Sequence, residues 1–153
     1  MKRIGYFLLA AILFTILVGG VNCQSKSQYT TATPEGTIRL FFDAYSSLDA
    51  DKMVNLYVEE EREKIKPNTV AFLGRLQSIR FVALEIKTVS QIEYAEPVSV
   101  SGRIEDSAMV KASFKGVYSE KDGSPRHFPY QTVKFHLEKR EGKWLILQPP
   151  PAV

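Results

Sequence analysis

One cysteine, Cys23, stands in the whole chain, so no internal disulfide can hold the fold together. Histidine is nearly as scarce. His127 and His136 are the two, and with a single cysteine they form no ligand cluster of zinc type. There is no glycine-rich phosphate loop and no G-x-S-x-G elbow, which removes phosphate cradling and α/β-hydrolase chemistry from the expectations. An excess of one charge is missing too. The chain holds 20 Lys and Arg against 17 Asp and Glu, and Lys2 and Arg3 stand at its start. Without those two the remainder is within one charge of neutrality and has no electrostatic footprint for nucleic acid. The sequence therefore predicts no metal, no cofactor and no nucleic-acid partner. What it does have is apolar: hydrophobic residues make up 44% and aromatics 11%, enough for one packed core.

Part of that apolar content lies in one run. After Lys2 and Arg3, Ile4 to Val21 reads IGYFLLAAILFTILVGGV without a charge. A basic start followed by an apolar run is the order of a secretory signal. The same run is at the short limit for a membrane span. Gly19 and Gly20 break a helix where a signal helix should end, and after Asn22 the chain turns polar, QSKSQYTTAT. Cys23 sits at that change. The stretch resembles a bacterial lipoprotein signal, which implies residues 1–22 as signal peptide, cleavage before Cys23, and a diacylglycerol thioether on its sulfur. It departs from the usual box in having Gly20 three positions before the cysteine, in place of leucine, and Asn22 directly before it. Two other readings stay open: an uncleaved anchor helix with a bystander cysteine, and signal cleavage without lipid. Lipid and anchor alike put the domain in the bacterial cell envelope, on a membrane and facing away from the cytoplasm, with the outer membrane favoured where there are two. Residues 23–33 are expected as the lipidated cysteine and a flexible tether; its ten residues from Gln24 span about 17–19 Å as a coil.

The domain is expected over residues 34–148, with Pro149, Pro150 and Pro151 leaving an extended tail over 149–153. Thr33 is placed to cap a first helix with Pro34 at its first position. Ile38, Phe41, Phe42 and Tyr45 fall at helical spacing on one stripe. Asp49 is placed to cap a second helix carrying Met53, Val54, Leu56 and Tyr57, whose charged tail Glu59–Lys64 reads as a solvated face. Pro67 and Asn68 are expected to end it and start a third helix, with Phe72, Leu73 and Leu76 inward. From Ile79 the period becomes two. Val82, Leu84 and Ile86 are expected on one face; so are Ala108, Val110, Ala112, Phe114 and Tyr118, and then Val133, Phe135 and Leu137. Lys87, Lys111, Lys134 and His136 fall on the other face. Val98 to Ile104 is a candidate further short strand. Asp122-Gly123 and Glu141-Gly142 are turn signals, and KWLILQ closes the sheet.

Three helices followed by antiparallel strands, each apolar on one face, give an α+β class. The opening TPEGTIRLFFDAYSSLDADKMVNLY and the closing GKWLIL resemble the nuclear-transport-factor-2-like superfamily, and within it small bacterial lipoproteins with a domain of unknown function. The resemblance is carried by Pro34, Glu35, Ile38, Phe41, Phe42, Ala44, Asp49, Leu56, Gly142, Trp144 and Ile146, and extends over Thr33 to Gln148. It implies N-terminal helices packed on a curved antiparallel sheet, a cone with an open mouth.

That superfamily includes enzymes of the ketosteroid isomerase and scytalone dehydratase kinds, which place an acid or base inside the cone. Here the inward positions are Val, Leu, Ile, Ala, Phe and Tyr. Asp43 lies off the apolar stripe, Asp49 and Asp51 read as caps, and both histidines read as solvent-facing, so no catalytic residue is expected. Tyr45, Tyr57, Tyr94, Phe114, Tyr118 and Trp144 are candidates to line a pocket for a small amphipathic ligand; the plainer alternative is that they fill the core. The function expected is a non-catalytic, membrane-tethered module that binds a ligand or an envelope protein, or pairs with a second copy through its sheet face. An isomerase- or dehydratase-type enzyme using the cone is the alternative.

Overall fold

Thr33 caps the first helix, as its place before Pro34 predicts. The computed structural model describes residues 29–99 and 103–147, and in it the Thr33 hydroxyl accepts a hydrogen bond from the Gly36 N–H at 3.1 Å. Helix α1 (Pro34–Ser46) buries Ile38, Phe41 and Phe42 at 0, 3 and 2% exposure; Tyr45, on the same stripe, is half-buried, and Asp43 is exposed. The Asp49 carboxylate accepts from the Lys52 N–H at 3.0 Å and so starts α2 (Ala50–Asn55).

The second helix stops earlier than its sequence suggests. Leu56, Tyr57 and Val58 leave the helix, at 8, 3 and 1% exposure. They run beside the last strand, β4 (Lys143–Ile146): the Leu56 carbonyl accepts from the Ile146 N–H at 2.8 Å, and the Val58 N–H donates to the Ile146 carbonyl at 3.0 Å. Three consecutive apolar residues cannot all face a core from a helix, whereas a short extended run buried on both sides can. The third helix, α3 (Glu59–Arg75), begins after this run and continues through Pro67, where a break was expected. Both Pro67 and Glu63 are exposed, so the carbonyl that proline leaves without its N–H partner can meet water. Of the inward residues expected on this helix, Leu73 is 4% exposed, Phe72 is 40% exposed, and Leu76, at 4%, is the first residue of β1.

The remaining strands are β1 (Leu76–Ser99), β2 (Arg103–Glu120) and β3 (Arg126–Arg140), in an antiparallel sheet of order β1-β2-β3-β4. Of the candidate short strand Val98 to Ile104, the described residues belong to β1 and β2. Val98 pairs with Ile104 and Ser99 with Arg103 at the tip of the long β1–β2 hairpin. Strand β1 changes register between Leu76 and Ser78, Phe81 and Ala83, Thr88 and Ser90, and Glu93 and Val98. Such bulges bend a strand and increase its twist, and they curl the sheet over α1. One of them corrects the expected faces. Phe81 packs against the core and Leu84 and Ile86 are partly buried with it, but Val82, the extra residue, is 57% exposed. Strands β2 and β3 keep the expected alternation: Val110, Ala112 and Phe114 are 0, 0 and 7% exposed, and Val133, Phe135 and Leu137 are 7, 1 and 1%.

The β3–β4 turn is Glu141-Gly142, with φ of 52° and 75°, the two positive values that a two-residue hairpin loop needs. The edge of β4 is covered by residues 56–58 and, nearer the N-terminus, by Thr31, whose carbonyl accepts from the Trp144 N–H at 2.8 Å. The folded part therefore reaches back to Thr31, inside the stretch expected as tether. Buried Thr37 is satisfied by donating its hydroxyl hydrogen to the Trp144 carbonyl at 3.0 Å. Residues 1–28, with the apolar run and Cys23, lie outside the described residues, as do Gln148 and the proline tail; among the described residues no helix is long and apolar enough to cross a membrane.

Candidate functional site

Two tyrosines expected to line a pocket meet at one end of the sheet. There the C-terminal turns of α1 and α3, helix α2, the start of β1, the end of β2 and the start of β3 converge on a second apolar cluster. Its buried members are Leu73, Leu76 and Ile79, with Tyr45, Met53, Phe81, Tyr118 and Phe128 packed against them. The local cause is partly a glycine. A Cβ on Gly116 would lie 2.5 Å from the Phe128 ring and 2.3 Å from the Arg80 carbonyl. The bare backbone lets the Phe128 ring lie over β2, which is the close approach that glycine in a strand permits. From there the rings continue, Phe81–Phe128 edge to face at 5.8 Å, and Tyr45–Phe81 at 5.6 Å, Tyr45–Phe72 at 6.0 Å and Tyr118–Phe128 at 6.4 Å as tilted pairs.

The electrostatics of this end belong to its phenols. Burial, and then the neighbouring Tyr118, push the Tyr45 hydroxyl up to about 12. Tyr45 is thus a neutral phenol throughout the physiological range, a group that hydrogen-bonds without charge. Tyr57 is pushed up further by burial alone. The acids and bases weighed as catalytic candidates lie elsewhere. Asp43, His127 and His136 are exposed, Asp49 caps α2, and Asp51 pairs with Lys66 at 3.4 Å. Among the described residues no three His, Cys, Asp or Glu side chains are grouped to hold a metal ion.

Of the other pocket candidates, Tyr57 and Trp144 are not at this end, whereas the Phe114 ring borders it, 5.6 Å from Phe81 and 6.0 Å from Phe128. Tyr57, Phe114 and Trp144, at 3, 7 and 2% exposure, are members of the main core. Phe114 packs on Phe42 at 5.0 Å and Tyr57 on Phe41 at 6.3 Å. Trp144 pairs with Lys139 at the opposite end of β3 from Phe128. The Tyr94 side chain lies outside the described residues. Phe72, Phe81 and Phe128, unnoticed as site residues in the sequence, complete the cluster. Phe72 was expected only as an inward residue of the third helix, Phe81 opens an expected strand and Phe128 lies just before one.

No protein-family model matches the chain, and no curated protein matches it. Solved structures do. A ketosteroid isomerase-like protein from Erwinia carotovora atroseptica aligns with 76% of this chain and 89% of its own, at 12% identity and a TM-score of 0.54. The fold is nuclear-transport-factor-2-like. The intermembrane space region of the chloroplast protein ARC6 is similar at the same TM-score, 0.54, with 12% identity over 80% of this chain and 97% of that one. A protein of the NTF2-like family from Streptomyces avermitilis aligns over 72% and 86%, with 13% identity and a TM-score of 0.49. At 12% identity the two likenesses with a TM-score of 0.54 are of fold, and they agree with the expected helices on a curved antiparallel sheet.

Proposed function

We propose that the chain is a membrane-tethered module of the bacterial cell envelope, anchored through Cys23, that binds a small amphipathic ligand at the Tyr45–Tyr118 end without catalysing a reaction on it. The observation that carries the non-catalytic part is the occupancy of the inner face. Val110, Ala112, Val133, Phe135 and Leu137 are buried there against Phe41 and Phe42, while Asp43, Asp51, His127 and His136 are exposed and Asp49 caps α2. A general acid or base needs a titratable group held in a site where its pKa is shifted toward the working range. Tyr45 moves the other way, away from neutrality. Its neutral hydroxyl, set in an aromatic wall, suits a ligand with an apolar body and a hydrogen-bonding head.

The anchor is tested by mass spectrometry of the protein matured in a bacterial host. The expected mature form begins at an acylated Cys23, and Cys23→Ser is expected to leave an unprocessed precursor. An intact leader on the wild-type protein overturns the lipid anchor. The binding mode is tested by calorimetry with amphipathic probes beside a turnover screen. Tyr45→Ala and Tyr118→Ala are expected to weaken binding. Turnover that disappears on replacing Asp43, Asp49 or His127 would establish the isomerase or dehydratase alternative instead.

A further inference from the structure

The outer face of the sheet carries a row of lysines that sequence order does not reveal. Lys87 pairs with Lys111 across β1 and β2, and Lys111 with Lys134 across β2 and β3. All three are exposed, as are Lys115 and Arg80 on the same face. Like charges set directly opposite on neighbouring strands repel, yet among the described residues no carboxylate comes within ion-pairing distance of any of the three. The described acids of this face are Glu85, one row away, and Glu138, which is engaged by Arg140 at 2.8 Å. Lys87 and Lys111 flank a shallow depression of about 190 Å³, whose other walls are Glu85 and Ser113. Ile92, paired with Ser107, is 57% exposed at one end of the face. Cations beside an exposed aliphatic side chain match the chemistry of a lipid headgroup layer, where charge meets phosphate and apolar groups enter the boundary.

We propose that this face docks on the anionic headgroups of the membrane that carries the chain. The proposal rests on the membrane-tethered reading for its geometry. The chain enters the fold at Thr31, against β4 at one edge of this same sheet. Gln24 to Gln28, fully extended, reach at most about 17 Å, and the step from β4 to β1 is about 14 Å at the usual strand spacing. A leash of that length from the sheet edge is long enough for the sheet face to reach the bilayer. A two-fold dimer through the same face would set the lysine row of one copy near that of the other, which charge disfavours.

The full chain is reconstituted in vesicles of phosphatidylcholine alone or with phosphatidylglycerol, floated, and lysines are acetylated and read by mass spectrometry. The expected result is protection of Lys87, Lys111 and Lys134, but not of Lys52 and Lys64 on the helical side, in the anionic vesicles alone. At 1 M salt, where the screening length falls to about 3 Å, that protection should disappear. Each lysine held at an anionic surface favours the docked state about fivefold, so K87Q/K111Q/K134Q is expected to reduce docking, read as protection of Lys115, on the order of a hundredfold. The variant removes repulsion within the sheet and should fold as well as the parent. Equal labelling in both vesicle types overturns the proposal. So does protection in neutral vesicles that grows with protein density, which would mean a dimer, or equal protection by a single-stranded DNA oligomer. Flotation with neutral vesicles reports the anchor separately: its failure overturns the tether, while the anionic arm still decides the face.

Discussion

Phe135 and His136 are neighbours in sequence with opposite environments. Phe135 is 1% exposed and meets Phe41 edge to face at 5.3 Å, while His136 is exposed. Phe135→Ala is therefore expected to cost about 3–5 kcal/mol through lost burial and the cavity left behind. His136→Ala is expected to stay within about 0.5 kcal/mol. Denaturant melts of the two variants check this, and equal losses would mean an inverted register. Tyr45 gives a second test at this scale. Its folded-state pKa is raised, by burial first and Tyr118 second, to about 12, so between about pH 10 and 12 the folded state holds a proton that the unfolded state releases. Its contribution is fully present below the unfolded value and is lost as pH rises through the folded one. Melting curves taken from pH 9 to 12 are expected to fall, and Tyr45→Phe, which has no proton to lose there, is expected to flatten part of that fall.

At the scale of elements, helix α3 and the segment before it carry the main departure from the sequence. Proline is the strongest breaker in helical reading, so Pro67 drew the boundary, whereas the real boundary is the buried run Leu56–Val58 that closes the β4 edge. The two placements predict different outcomes for Pro67→Ala. Inside a helix the replacement restores an N–H and removes a ring clash, and it is expected to raise stability by about 1–3 kcal/mol; in a loop between two helices it would gain nothing. Thermal melts decide between them. An unpaired edge strand is an aggregation hazard, and on this sheet the short β4 is covered by two pieces of chain while β1 is interrupted by bulges. One β1 N–H, that of Thr88, is taken up by the Glu35 carboxylate at 3.1 Å, with the Thr88 hydroxyl donating to the same oxygen. Burial alone would raise Glu35, but these hydrogen bonds outweigh it and hold the carboxyl below its ordinary range. The contact between α1 and β1 is accordingly expected to weaken as acid protonates Glu35, and to be present above its unfolded value.

For the molecule as a whole, the small net charge conceals an uneven distribution. Lys87, Lys111 and Lys134 fall in one row, while Glu59, Glu60 and Glu61 occupy the first turn of α3. If the row is as register places it, Lys111→Gln relieves repulsion on both sides and is expected to be neutral or to stabilise the isolated protein by about 0.2–1 kcal/mol at low salt, with the gain shrinking as salt rises. A clear loss of stability in denaturant titrations would show that Lys111 has an attractive partner.

The helical stripe Ile38, Phe41, Phe42, the caps Thr33 and Asp49, the inward set Val110, Ala112, Phe114, Val133, Phe135, Leu137 and the Glu141-Gly142 turn were all legible in the sequence. Each depends on residues a few positions apart, through a period of 3.6 or 2 or the conformational freedom of glycine. The α+β class follows from their order. The row of lysines, the exposure of Val82, the Leu56–Val58 run on β4 and the meeting of Tyr45, Phe81, Tyr118 and Phe128 were decided by tertiary structure. Alternation assigns a side chain to one of two faces, but says nothing about which residue of the next strand stands opposite, and a single bulge reverses the assignment beyond it. A site made of side chains from six elements therefore exists only once register and bulges are set by packing.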